Sequence, residues 1–189
     1  STQAVHEGIA KNWCVKKKVS PNQVRYVEKG KTQQIGDFTV TPFAVPHDSS
    51  DCVGYCVQCE GITFTLVTDC GHVTEEICAF VAKANYLVIE ANHEVEKLMA
   101  GPYPLYLKER ITSQIGHLSN AECARTIVEN ATENLKHVWL CHLSDENNHP
   151  ELARIAVTSL MESYGLRAGV DFIVEVLRRK IPSEIYDLK

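Results

Sequence analysis

The sequence has no apolar run of the roughly 18 residues that a helix needs to cross a bilayer, so it offers no candidate transmembrane segment and no membrane partner is expected. Its first residues, Ser1 to Ala10, lack the basic-then-apolar order of a secretory signal, and the expectation is a cytoplasmic protein. No internal repeat, low-complexity tract or interdomain linker interrupts the chain, so 1–189 reads as a single domain. Positive charge is also in short supply. With 19 Lys and Arg against 24 Asp and Glu the formal net charge is −5, which excludes nucleic-acid binding through bulk charge and leaves only local contacts. Two basic clusters, Lys16-Lys17-Lys18 and Arg178-Arg179-Lys180, are short enough to read as solvated faces.

What is present is the material of a core: 44% of the residues are hydrophobic and 23% charged. The eight cysteines sit mostly inside apolar runs of a chain long enough to need no staples, so they read as reduced, buried thiols. Cys56 and Cys59 have metal or redox spacing, yet they fall in an alternating strand that sends the two sulfurs to opposite faces, which makes them structural.

Hydrophobic periodicity and turn residues give the order of elements. Ser1–Asn12 is weakly helical, and Gln23–Val27 reads as a strand. Phe38–Val45 is a strand ending at Pro46-His47-Asp48; Val53–Cys59 and Ile62–Thr68 form a hairpin through Glu60-Gly61. A helix capped by Thr74 runs to about Ala84, followed by strand Tyr86–Ile89 and a short helix, Glu94–Ala100, stopped by Gly101-Pro102. Ser119 and Glu122 have capping-box spacing and open a helix to about Asn134. Strand Val138–Cys141, helix Pro150–Tyr164 and strand Phe172–Leu177 complete the chain. Strands first, then strands alternating with helices, predict a layered α/β domain with helices packed on a sheet.

Four strands end alike: FTVTPFAVPHD at His47, ITFTLVTD at Asp69, YLVIEANH at Glu90 and His93, and HVWLCHLS at His142. Ligand-type side chains therefore gather at one sheet edge, where a rigid scaffold meets solvent. A lone histidine after a strand is most often a cap or a surface residue; the joint arrangement is what points to metal. Imidazole and carboxylate suit zinc, manganese or iron, and a carboxylate can bridge two ions, so His47 and His142 would each give one nitrogen to a different ion and Asp69 the shared oxygen.

The wording around these residues resembles the metallo-β-lactamase superfamily, and within it the WalJ/YycJ-like proteins. The resemblance is carried by Pro46-His47-Asp48 with Asp51 and Val53-Gly54-Tyr55, Thr68-Asp69-Cys70-Gly71-His72, Glu90-Ala91-Asn92-His93, Gly101-Pro102-Tyr103-Pro104, Gly116-His117-Leu118-Ser119-Asn120, and His142-Leu143-Ser144 with Asn147-Asn148. It implies an αββα sandwich with two divalent metal ions, zinc or manganese, between its sheets. It also implies a metal-activated water for phosphodiester hydrolysis, with exonuclease action on double-stranded DNA as the substrate class. On that resemblance His47 and His142 are metal ligands, Asp69 bridges, and Glu90 with His117 protonates the leaving group. Asp48, His72, Asn120 and Asn148 would stand behind the ligands or against substrate, with Asn120, Asn147 and Asn148 orienting the loops. His72 reads equally well as a surface residue, His93 as a helix start, and His6, His137 and His149 as surface or capping residues.

The superfamily's His-x-His-x-Asp-His motif occurs nowhere in the sequence. The resemblance places it upstream of Ser1, so the expectation is a chain lacking its N-terminal portion, with partial or no metal occupancy and no activity until the upstream half is supplied. The sheet face left without its partner should then be hidden in a homo-oligomer through Phe38–Val45 and Ile62–Thr68. The alternatives are a non-catalytic binding or regulatory relative that keeps the fold, and histidines that are merely structural.

Overall fold

Seven strands lie side by side in one mixed sheet in the order in which they occur in the sequence. The computed structural model describes residues 1–189, apart from the side chain of Pro21. Helices α1 (Gln3–Lys11) and α2 (Trp13–Lys16) precede the sheet. Strands β1 (Gln33–Ile35), β2 (Phe38–Ala44), β3 (Val53–Cys59) and β4 (Ile62–Val67) then form an antiparallel meander. The β3–β4 turn places Glu60 and Gly61 at φ 49° and 80°, the left-handed pair that a two-residue hairpin needs.

From β4 onward the pairing is parallel. Helix α3 (Glu75–Lys83) leads to β5 (Tyr86–Glu90), and α4 (Val95–Ala100), α5 (Leu105–Ile111) and α6 (Asn120–Asn130) lead to β6 (His137–Cys141). Helix α7 (Pro150–Ser163) leads to β7 (Ile173–Val176). The sequence marks three of these starts well: Thr74 accepts from the Ile77 amide, Ser119 and Glu122 make a reciprocal capping box, and His149 caps α7 with Pro150 in its first turn.

Parallel strands added in one direction by crossovers of one hand put their helices on one face. The core follows from that rule. Ile77 and Val81 of α3, Cys123 and Ile127 of α6, and Val157 and Met161 of α7 pack on Val67, Leu87, Ile89, Val138 and Leu140. Each fully buried aliphatic side chain contributes about 1.5–3 kcal/mol. In β4 the residues Thr63, Thr65 and Val67 face this core, and buried Thr65 satisfies its hydroxyl by donating to the Phe80 carbonyl at 3.2 Å. Ile62, Phe64 and Leu66 point to the other face, on which the C-terminal segment lies. Tyr186 packs edge-on against Trp139 at 4.8 Å, and the Tyr86 hydroxyl meets the Lys189 carbonyl at 2.7 Å.

Several expectations change. Gln23–Val27 is not a strand: it makes no ladder, and the Val27 amide donates to the Ser1 carbonyl beside α1. The α6 helix ends at Asn130 and not near Asn134, and Leu135 in the turn that follows is buried. Edge strand β1 and helix α5 carry too few apolar repeats to be read from sequence. Cys56 is buried in the core, whereas Cys59 lies on the opposite face, as strand alternation requires. Among the described residues there is one sheet where the resemblance implied two. No helix in it is long and apolar enough to cross a membrane.

Candidate metal centre

Strands β2, β4, β5 and β6 all point the same way, because β3 runs against both its neighbours. Their C-terminal ends therefore open on one edge, and that edge gathers His47, Asp69, Glu90 and His142, with His117 brought in by the segment before α6. Asp69 Oδ1 lies 3.7 Å from His47 Nε2 and 3.6 Å from His142 Nε2. Donor atoms on spokes of about 2.0–2.2 Å around one ion stand roughly 3.3–3.7 Å apart, so each of these two histidine–aspartate pairs has the spacing of two ligands on one ion and is too long for a hydrogen bond. His117 joins His47 and Asp69 in a group whose donor atoms all lie within 4.8 Å of one another. The donor set of two imidazoles and a carboxylate suits zinc or manganese.

The backbone at two of these residues is strained. Asp69 and His142 sit at φ 53° and 56° without being glycine, each directly after the last residues of its strand. Such a conformation costs about 1–3 kcal/mol and persists where the surroundings impose it, which is most often at a functional site.

Glu90 anchors the arrangement from below. It has no exposed surface, and its Oε1 accepts from His117 Nδ1 at 2.7 Å and from His142 Nδ1 at 2.8 Å, while Oε2 accepts from the Cys70 amide at 2.7 Å. A carboxylate has no proton to offer, so both imidazoles must carry theirs on Nδ1 and present a bare Nε2 away from Glu90. Burial alone would raise the Glu90 pKa, but the His117 and His142 hydrogen bonds outweigh it and hold the group below the ordinary carboxylate range. The same bond to Glu90 raises His142 above the usual histidine value against the opposing effect of its burial. Burial pushes the neighbouring thiols of Cys70 and Cys141 up to about 12 each, so both remain protonated at neutral pH.

The remaining site candidates divide. His47 is aimed by its Nδ1, 2.9 Å from the Gly116 carbonyl. Asp48 stands 3.5 Å from His47 Nε2 and is clasped by Arg110 at 2.5 and 3.0 Å, a bidentate pair that holds its carboxyl below the usual range. His72 Nδ1 meets the Gln114 carbonyl at 2.8 Å and so ties the turn after Asp69 to the segment that carries His117. Asn120 and Asn148 are buried and exchange amide hydrogen bonds at 2.8 and 2.9 Å, and Asn148 also donates to the Ala91 carbonyl at 2.8 Å. They lie behind the site and lock its loops. His93 does precede the start of α4, whose N-cap is Glu94, but it is only 1% exposed, and burial lowers its pKa. His137 is likewise buried, stacked on Trp139 at 4.0 Å, whereas His149 does serve as a cap.

Sequence reasoning missed three contributors. Asn92 donates to the His142 carbonyl at 2.8 Å and fixes the turn that presents it. Gly71 and Gly116 let two loops pass closely, for a Cβ on Gly71 would stand 2.4 Å from the Gln114 carbonyl and one on Gly116 2.2 Å from that of Ile111. Asn92 was visible within the Glu90–His93 run. The glycines stood inside the Asp69 and His117 motifs, but nothing local showed the close approach they allow, which for Gly71 is to a segment more than 40 residues away.

Comparison with known proteins bears on the family and the fold. A family profile described as "Beta-lactamase superfamily domain" matches residues 2–142. The exodeoxyribonuclease WalJ of Streptococcus pneumoniae serotype 2 is 38% identical over 157 residues, covering 83% of this chain and 58% of WalJ. The chain thus spans less than two thirds of that relative's length. Among solved structures, the metallo-beta-lactamase fold protein YhfI from Bacillus subtilis has a TM-score of 0.64 at 15% identity, covering 94% of this chain and 60% of its own. Zn(2+)-bound PqqB from Methylobacterium extorquens has a TM-score of 0.62 at 17% identity, covering 93% and 58% respectively. At these identities the two structures speak for the fold alone, an α/β fold of the metallo-β-lactamase type.

Proposed function

The chain belongs to the beta-lactamase superfamily domain family, and from that premise we propose that it is the site-bearing part of a metal-dependent phosphodiesterase that acts as a DNA exonuclease. The observation that carries the reading is Asp69 Oδ1, set at coordination spacing from His47 Nε2 and His142 Nε2 on a backbone strained at both Asp69 and His142. His47 and His142 would each hold one of two divalent ions, zinc or manganese, with Asp69 between them. Bound there, the ions supply a water of lowered pKa and neutralise phosphate charge.

The chain's own groups do the rest. Glu90 keeps both imidazoles in the Nδ1-protonated form and fixes their aim, so that His117 stands where it can pass a proton to the departing oxygen. The name of the relative WalJ supports DNA as the substrate. A cytoplasmic location is part of the same proposal.

Three ligand-type side chains spread over two ion positions hold either ion weakly, so this chain by itself should show low occupancy and low activity. The lack of a His-x-His-x-Asp-His motif favours a second reading, a binding or regulatory relative that keeps the fold. Metal content by mass spectrometry, and release of nucleotides from end-labelled DNA with added zinc or manganese, separate the two. The measurements are made on this chain and on the same chain joined to whatever coding sequence precedes it in frame. Metal-stimulated nucleotide release that disappears with Asp69→Ala supports the enzyme. No uptake and no release in either form leave the binding relative. We further propose that the sheet face bearing Phe38–Val45 and Ile62–Thr68 pairs with a second copy, weakly while the C-terminal segment lies over Phe64 and chiefly through its margin at Phe38, which is 50% exposed.

A further inference from the structure

We propose that the cleft beside His117 and His142 holds the end of one DNA strand, with Arg178 and Arg179 on its phosphates and Tyr103 against a base. This rests on the nuclease reading above and extends it to substrate binding. The cleft has a volume of about 790 Å³, and Tyr103, Arg110, His117, His142, Arg178 and Arg179 are among the residues that line it. That volume lies in the range of small-molecule sites, roughly 300–1,000 Å³, which suits the end of one strand and not a duplex.

The fold brings the basic residues here. The Leu177 amide donates to the Leu140 carbonyl at 2.8 Å, so the chain leaves the sheet level with the end of β6, one residue before Cys141 and two before His142. Arg178 and Arg179 follow immediately and form one wall. Asp145, in the turn after His142, steadies that wall loosely, 3.7 Å from Arg179 and 3.5 Å from Lys180, with all three side chains more than half exposed. Exposed pairs of that kind contribute little and are readily exchanged for a phosphate. Tyr103 and Arg110 also line the cleft, the latter already committed to Asp48.

In a chain of net charge −5, a strand must be drawn by local charge, and this wall stands at the reacting groups themselves. A basic groove with an aromatic platform is how single strands are held without reading sequence. The run Arg178-Arg179-Lys180, a solvated face by sequence, thereby gains a role.

The test is fluorescence anisotropy of a labelled single-stranded 12-mer on the full 189-residue chain, in EDTA to prevent cleavage, over 50–200 mM salt. Arg178→Gln/Arg179→Gln should weaken binding by about tenfold at low salt and flatten the slope of log K against log salt by about 1.4, because two phosphates of a single strand would no longer be neutralised. Arg178→Lys/Arg179→Lys should keep the slope, and Tyr103→Ala should weaken binding about tenfold with the slope unchanged. Circular dichroism confirms that each variant is folded. Equal affinity and slope in the glutamine variant, or no binding by the wild type at 50 mM salt, overturns the proposal. Metal-stimulated hydrolysis of bis(p-nitrophenyl) phosphate, measured on the chain joined to whatever coding sequence precedes it in frame, reports separately on the nuclease reading: hydrolysis without arginine-dependent binding sinks only the strand cleft, and binding without hydrolysis by that joined form sinks only the enzyme.

Discussion

Glu90 Oε1 stands 2.8 Å from His142 Nδ1 and serves His117 Nδ1 at 2.7 Å with the same oxygen. One buried carboxylate thus sets the tautomer and aim of two imidazoles on different elements, one after β6 and one before α6. The charge is tolerated at 0% exposure because two ring N–H groups and the Cys70 amide all donate to it.

Glu90→Gln replaces that acceptor with an amide whose single oxygen serves one ring while its NH₂ faces the other. Metal affinity should fall about 10- to 100-fold as the imidazoles lose their orientation. Titration calorimetry with zinc or manganese checks this, and unchanged affinity would remove Glu90 from its orienting role.

His117→Ala separates proton delivery from ligation, for His117 Nδ1 also lies 3.9 Å from Asp69 Oδ1 and the ring is 4.9 Å from that of His47. As a proton donor its loss should lower turnover by about 10²–10⁴-fold at constant metal content. Metal lost along with turnover would make His117 a ligand instead.

How much of this was legible depended on the length scale of each signal. The four strand ends were readable because strand, ligand and turn are adjacent in sequence, as in ITFTLVTD at Asp69. The resemblance joined His117 to Glu90, although they are 27 positions apart. Invisible were features that arise only when remote segments meet: the left-handed backbone at Asp69 and His142, the arginine wall beside His142, and the burial of His93 and His137. Strand β1, with the sequence Gln33-Gln34-Ile35, is held by pairing with β2 and not by an apolar pattern of its own, so no periodicity could announce it.

Gly71→Ala tests the close passage of the loops that carry Asp69 and His117. The new Cβ would stand 2.4 Å from the Gln114 carbonyl and 2.5 Å from Ile115 Cα, both backbone atoms with little freedom to yield. Overpacking of this kind costs about 1–3 kcal/mol. The urea midpoint should drop, with metal affinity falling in parallel. A stable variant with weakened metal binding would mean that the loops part without unfolding, and a variant unchanged in both would show that they are not in contact.

His137 gives the pH dependence of stability. Burial lowers its pKa in the folded chain below the ordinary histidine value of 6.5, outweighing the opposing pull of the Glu175 carboxylate, whose Oε2 stands 3.2 Å from His137 Nε2. As pH falls below about 6.5 the unfolded chain takes up the proton first, so the contribution of His137 to stability declines between 6.5 and its lower folded value. His142, raised by Glu90, works in the opposite sense: its stabilisation is complete below 6.5 and fades as pH rises through its folded value. His137→Phe should keep the stack on Trp139 and reduce the loss of urea stability on going from pH 7 to pH 5.5. An identical loss in both proteins would assign the acid limb elsewhere.

The last prediction concerns the sheet face away from α3, α6 and α7. Tyr186 covers Trp139 there and donates to Glu175 Oε2 at 2.7 Å, while Leu188 and Phe64 line the same hollow as Val88 and Trp139. Phe38, at the margin of this face, is 50% exposed. Deleting residues 183–189 would uncover Tyr86, Phe64 and Trp139 together, and a contiguous apolar patch of that kind drives association. Sedimentation velocity should therefore show the shortened chain self-associating at lower concentration than the full one, and Phe64→Lys in the shortened chain should return it toward monomer. Since Arg178 and Arg179 remain, binding of the labelled 12-mer should be unaffected. A shortened chain that stays monomeric at every concentration would show that the C-terminal segment shields nothing adhesive, and the proposed pairing of this face with a second copy would fall with it.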